Sequence, residues 1–272
     1  MTAVRRIDAH QHLWDLAARP QDWLAGLEPI RRDFHEADLR AATGAAGIDA
    51  TVLVQVLPDV EETAEFLALA GESDLISGVV GWVDLTAPDV AEQLDRLRRG
   101  PGDPEPDPEW LTRPDVLAGL RAVRDAGLVY DVLTRPHQLP AVVAVAKALP
   151  DLAFVLDHLS KPDIAGRVLE PWAARLAELG ALPNVVAKVS GLVTEAGPRW
   201  TVDDLRPFVD VALEEFGPSR LMVGTDWPVC LLAASYAEVL DSARRMTDDL
   251  TAAERDQVFG GTATRVYRLE DR

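Results

Sequence analysis

Apolar residues fall into two alternating patterns along the chain. Seven short runs rich in β-branched residues, Val4–Ala9, Ile48–Val56, Ile76–Leu85, Leu128–Leu133, Ala153–Leu156, Val185–Val189 and Leu221–Gly224, read as strands buried on both faces. Between them apolar positions recur with a helical period, as at Val90, Leu94 and Leu97 in Asp89–Arg99 and at Val116, Leu120 and Val123 in Asp115–Ala126. Further helices are expected at Val60–Ala70 after Pro58-Asp59, at Leu139–Leu149 before Pro150, and at Val202–Phe216 before Gly217-Pro218. Strand then helix, repeated with short connections, gives right-handed βαβ units around a parallel sheet. Function then sits at the carboxyl ends of the strands.

A doubly wound sheet would place a Gly-rich turn after its first strand, but here that strand runs into His10-Gln11-His12 with no glycine. The expectation is therefore a TIM-like (β/α)8 barrel, with residues 1–272 as a single barrel domain. The length of 272 residues suits such a barrel, typically ~250 residues, and no interior linker interrupts it. One irregularity stands out. The step from Ile76 to Leu128 is long enough for two βα units, yet it holds a helix, the stiff acidic stretch Gly100–Pro108 and another helix, with no apolar run between them. A regular fourth strand is expected to be missing, leaving its neighbours to close up or a gap plugged by side chains, water or a partner subunit.

Composition narrows the function classes. With 48% hydrophobic and 26% charged residues the chain is an ordinary globular protein, and 45 acidic against 27 basic residues give a net charge of −18. That charge disfavours nucleic acids and anionic membrane surfaces and leaves a small molecule as the expected partner. Nothing in the sequence sets the oligomeric state. A single cysteine, Cys230, excludes a disulfide framework or multi-cysteine metal site and fits a cytoplasmic location. The opening MTAVRRIDAHQHL lacks the apolar run of a secretory signal, and the apolar helix Ala141–Leu149 is too short to span a bilayer.

Four residues combine position and chemistry. His10 and His12 lie i, i+2 at the end of a strand, so both imidazoles share one face. His158 ends Phe154-Val-Leu-Asp-His158, and Asp226 ends Leu221-Met-Val-Gly-Thr-Asp226. At one barrel mouth these four can hold an ion or carry acid–base chemistry, with metal ligands His10, His12, His158 and Asp226 as one form of the site. Lys161 and Lys188 are candidates for orienting substrate, and Trp14, Trp82 and Trp227 for an apolar rim. His35 and His137 read as ordinary surface or hydrogen-bonded histidines, Ser190-Gly191 as a turn, and Arg121 and Arg124 as the solvent face of a helix.

Ile7-Asp-Ala-His-Gln-His-Leu-Trp14, the block Phe154 to Asp163, Lys188-Val-Ser-Gly191 and Gly224-Thr-Asp-Trp-Pro228 together resemble the amidohydrolase superfamily. The nearer likeness is to its branch of sugar and dicarboxylate lactonases, and it extends to Phe259–Tyr267. The resemblance implies that His10 and His12 are the first-strand HxH, His158 the sixth-strand histidine and Asp226 the eighth-strand, water-activating aspartate. Lys188 does not match the fourth-strand carbamylated lysine of binuclear members, and Leu128–Leu133 carries no fifth-strand histidine, which argues against two metals. The implied cofactor is one divalent ion, Zn²⁺ or Mn²⁺, or none, in which case the imidazoles would face the carbonyl directly. The implied activity is a lactonase opening a sugar lactone with Asp226 as base. The alternatives are a mononuclear metal-dependent decarboxylase or C–N amidohydrolase on the same site, and a degenerate barrel acting as a binding or scaffold protein.

Overall fold

A computed structural model describes residues 4–97 and 107–269. All seven apolar runs are strands: β1 Ile7–Gln11, β2 Ala50–Val54, β3 Ile76–Val80, β4 Val129–Val132, β5 Ala153–Leu156, β6 Val185–Val189 and β7 Leu221–Val223. The helices are α1 Glu36–Ala46, α2 Val60–Glu72, α3 Val90–Leu97, α4 Pro114–Asp125, α5 Leu139–Ala148 and α6 Trp172–Gly180. After these come α7 Leu192–Ala196, α8 Val202–Phe216, α9 Tyr236–Met246, α10 Ala252–Asp256 and α11 Thr262–Tyr267. The first strand begins and ends later than the apolar run suggested, because Asp8, His10 and Gln11 extend it with polar side chains.

The strands pair in parallel as β1-β2-β3 and as β4-β5-β6-β7. The two runs join where Gln11 bridges Trp227, with His12 N–H donating to Trp227 C=O at 2.6 Å and Asp226 N–H to His10 C=O at 2.8 Å. The wall is therefore one curved series, β4-β5-β6-β7-β1-β2-β3, and no ladder joins β3 to β4 among the described residues. Among the described residues no strand stands between β3 and β4. The Gly100–Pro108 stretch itself lies almost wholly outside those residues.

Two apolar layers follow from strand alternation. Residues such as Leu53, Val79, Phe154 and Ala187 pack outward against the helices. Ile7, Ala50, Val52, Val80, Val155, Val186 and Met222 fill the barrel, joined there by Ala263 and Leu269 from the end of the chain. Leu269 occupies the space a side chain at Gly78 would need, 2.9 Å from where a Cβ would stand. The last helix and the residues after it thus plug the barrel from the amino ends of the strands, at the level where β3 and β4 do not pair.

Candidate active site

The carboxyl ends of β1, β5 and β7 bring the four predicted residues to one point. Asp226 Oδ1 lies 3.3 Å from His12 Nε2, 3.8 Å from His10 Nε2 and 4.0 Å from His158 Nε2. His10 and His12 approach each other through Nε2 atoms 3.2 Å apart. All four residues line a cavity of about 360 Å³, with Trp14, Trp23, Gln55 and Lys161 on its sides.

Local backbone explains how His158 reaches this point. His158, Leu159, Ser160 and Lys161 all have positive φ, 50 to 62°, a left-handed turn that costs non-glycine residues roughly 1–2 kcal/mol each. Side chains from three neighbouring segments hold it. The Trp172 indole donates to Leu159 C=O at 2.7 Å, the hydroxyls of Thr134 and Ser160 meet at 2.8 Å, and His158 Nδ1 lies 2.8 Å from Ser190 Oγ. Gly191 has φ +65°, and a Cβ there would stand 2.6 Å from His158 Nδ1, so glycine admits the imidazole.

Protonation follows from partners. His12 Nδ1 sits 2.9 and 3.1 Å from the carbonyl oxygens of Val54 and Gln55, which only accept, so Nδ1 carries a proton. Neutral His12 then turns a lone pair at the Asp226 carboxylate, and two acceptors 3.3 Å apart need a cation, either a proton or a metal ion. Burial opposes charging His12, but the hydrogen bond and charge of Asp226 raise its pKa. Burial, helped by Lys188 and His158, pushes His10 well down, and burial takes His158 down to about 4. Burial alone would raise Asp226, yet the neighbouring histidines hold it below the usual carboxylate range, so it stays ionised.

His10, His12 and Asp226 form a donor set able to hold a divalent ion, with ligand atoms all within 4.8 Å of one another. Their separations of 3.2, 3.3 and 3.8 Å bracket the ~3.4 Å edge of a tetrahedron with ~2.1 Å metal–ligand bonds. His158 stands outside this set. It faces the same oxygen from 4.0 Å and also lines the cavity.

The remaining sequence candidates divide. Trp14 and Lys161 line the cavity. Trp227 is buried against Phe34, ring centroids 5.2 Å apart, and Trp82 lies over α2, where its backbone bonds to Thr63; neither lines the cavity. Lys188 is fully buried beneath the site, its ammonium 2.6 Å from Asp131 Oδ2, 2.8 Å from Asp157 Oδ1 and 3.2 Å from His10 Nδ1, and it is not among the residues that line the cavity. Sequence reasoning missed Asp131, Asp157, Gln55 and Trp23. The signal for Asp131 was present, since a carboxylate inside the run Leu128–Leu133 must either find a buried partner or point into a polar interior.

Among described residues, no helix is long and apolar enough to cross a membrane. The amidohydrolase family profile matches residues 7–269. The chain is 37% identical to an L-fucono-1,5-lactonase of Burkholderia ambifaria, over 97% of this chain and 96% of that protein. It is 41% identical to an L-fucono-1,5-lactonase of Burkholderia multivorans, over 98% and 97%. A crystal structure of an amidohydrolase from B. multivorans with bound zinc superposes with a TM-score of 0.91 at 41% identity, covering 98% of this chain and all of that one. With its HxH strand, its His158 turn and its Asp226 in place, the chain belongs to the amidohydrolase family.

Proposed function

We propose that this enzyme hydrolyses a small neutral sugar lactone, of the L-fucono-1,5-lactone type, in the cytoplasm. The observation that carries the reading is the convergence of three imidazole nitrogens on one ionised carboxylate oxygen, 3.3 to 4.0 Å away, in a cavity at the carboxyl ends of the strands. The two full-length relatives named above act on that lactone and supply the substrate class.

The lining favours an uncharged ring. Lys161 is the one lysine or arginine among the described lining residues, and its ammonium is drawn to Glu195 at 3.5 Å, so no free cation awaits a substrate carboxylate. Trp14 and Trp23 supply apolar faces, and Gln55 Oε1, buried without a hydrogen-bond partner, is placed to accept from a sugar hydroxyl. The volume of about 360 Å³ is that of a small-ligand site.

His10, His12 and Asp226 would hold a divalent ion, and their surroundings call for one. Among the described residues Asp131, Asp157 and Asp226 are buried together, with Lys188 held against Asp131 and Asp157, so the contact between Asp226 and the imidazoles is the one that calls for a cation. When bound, such an ion supplies Lewis acidity at the lactone carbonyl. Asp226, ionised, takes a proton from the attacking water as its oxygen bonds to the carbonyl carbon. With its Nδ1 accepting from the Ser190 hydroxyl, neutral His158 would offer Nε2–H to the developing oxyanion. The ring C–O bond then breaks, and the departing oxygen takes the proton that Asp226 accepted, which restores the carboxylate and gives the open hydroxy acid.

A panel of L-fucono-1,5-lactone, L-rhamnono-γ-lactone and 2-pyrone-4,6-dicarboxylate, assayed with and without chelator, tests this. Turnover of the neutral sugar lactones, lost on chelation and restored by Zn²⁺ or Mn²⁺, is expected. A preference for the dicarboxylate, or full activity in chelator, would refute the corresponding half.

A further inference from the structure

Beneath the site lies a polar layer that the hydrolytic reading does not use. The Lys188 ammonium sits between Asp131 and Asp157, and Tyr267, the last residue of α11, donates its hydroxyl to the same Asp131 Oδ2 at 2.6 Å. The Tyr267 ring also faces Lys188, with Nζ 5.6 Å from its centroid. Asp131 Oδ1 has no hydrogen-bond partner, so among the described residues this carboxylate is held by Lys188 and Tyr267 alone.

His10 Nδ1 meets a donor and an acceptor at nearly equal distance, the Lys188 ammonium at 3.2 Å and the Asp157 carboxylate at 3.3 Å. These neighbours favour opposite tautomers. A proton on Nδ1, shared with Asp157, leaves the Nε2 lone pair facing His12 and Asp226. A hydrogen bond accepted from Lys188 moves the proton to Nε2 and removes that lone pair. The outcome turns on how firmly Asp131 keeps the ammonium on its own side, and Tyr267 is what fixes Asp131.

We propose that Tyr267 is a positioning residue of the active site: by holding Asp131 against Lys188, it keeps His10 in the tautomer whose Nε2 lone pair faces His12 and Asp226. The proposal rests on the metal-dependent reading above for its link to activity, but zinc binding and the His10 tautomer test it separately from lactone turnover. It also gives the plug at the barrel floor a chemical task, since the helix that brings Ala263 into the interior, with Leu269 following it, delivers the hydroxyl.

Tyr267→Phe removes one hydroxyl and keeps the ring. Zinc affinity of the metal-stripped protein, measured by competition with a chromophoric chelator, should fall about tenfold, the lower end for groups that orient a metal-binding histidine. On the best lactone kcat should fall by a similar factor with KM little changed, and ¹⁵N spectra of the metal-free protein should show His10 shifting from Nδ1–H towards Nε2–H. Asp131→Asn should give the same changes, and the double variant should be no worse than the worse single one, because both act through Lys188. A hydroxyl with a merely structural role would lower Tm and leave zinc affinity and the His10 tautomer as in the wild type. That result, or additive losses in the double variant, overturns the assignment. A wild-type protein that opens no lactone refutes the function proposed above, while the tautomer measurement, which needs neither metal nor substrate, still decides the role of Tyr267.

Discussion

Lys188→Met isolates the energetics of the buried layer. Methionine keeps the unbranched stem and removes the ammonium, stranding two carboxylates that are 2% and 5% exposed. At an effective dielectric of ~20 each contact, 2.6 Å to Asp131 and 2.8 Å to Asp157, is worth about 6 kcal/mol before desolvation. Burying the ammonium offsets much of that, but removing one partner of a buried pair still costs about 3–5 kcal/mol, because the other charge stays behind. At about 2–4 °C per kcal/mol for a domain of this size class, Tm should drop about 6–20 °C. Adding Asp131→Asn should recover roughly half, since one stranded carboxylate is then neutral. The deficit should also depend on pH. Burial already raises the Asp131 pKa, and without Lys188 it rises further, so the penalty is present above that folded value and lost as pH falls towards the ordinary carboxylate range. Melting curves by circular dichroism near pH 5 and near pH 8 are the assay, the two conditions lying on either side of a raised carboxylate pKa. A Lys188→Met protein melting within about 2 °C of the wild type near pH 8 would show that the layer carries no net pairing energy.

Asp226→Asn should lower kcat by about 10²- to 10⁴-fold with little change in Tm, because the amide keeps the shape but takes no proton; near-wild-type turnover would remove Asp226 as base. Gly191→Ala should displace the His158 imidazole, whose Nδ1 lies 2.6 Å from the new Cβ, and strain a backbone at φ +65°. Steady-state kinetics should show kcat down about tenfold or more, as for other losses of a positioned acid–base group, and an unchanged kcat would show that His158 tolerates displacement.

The strands were legible because parallel strands buried on both faces leave continuous apolar runs, and all seven survive in the structure. The site was legible because the functional side chains follow those runs directly: His12 after β1, His158 after β5, Asp226 after β7. What stayed hidden was whatever needs register in three dimensions. Asp131 and Lys188 share the barrel interior only because β4, β5 and β6 pair Asp131 with Val155 and place Lys188 two rungs beyond Val186. Tyr267 arrives from 136 residues away in sequence, a separation no local pattern reports. The tryptophans were the least legible, since Trp14 at the cavity and Trp227 in the core carry the same local signal, an aromatic just past a strand.

The gap in the wall and the integrity of the site are compatible for a geometric reason. The strands that carry or lead into the four central side chains, β1, β5 and β7, lie with β6 and β2 in the paired interior of the series, while among the described residues the break falls between β3 and β4. Among the described residues, the member of the polar layer at the break is Asp131 on β4, whose described neighbour is β5 alone. An edge strand is the least constrained place for a carboxylate that must hold a buried ammonium still. That is where the last helix inserts, Tyr267 bonding Asp131 and Leu269 filling the space beside Gly78 of β3. Backbone pairing with β5 constrains Asp131 from one side, and the Tyr267 hydroxyl adds a side-chain constraint from within the barrel.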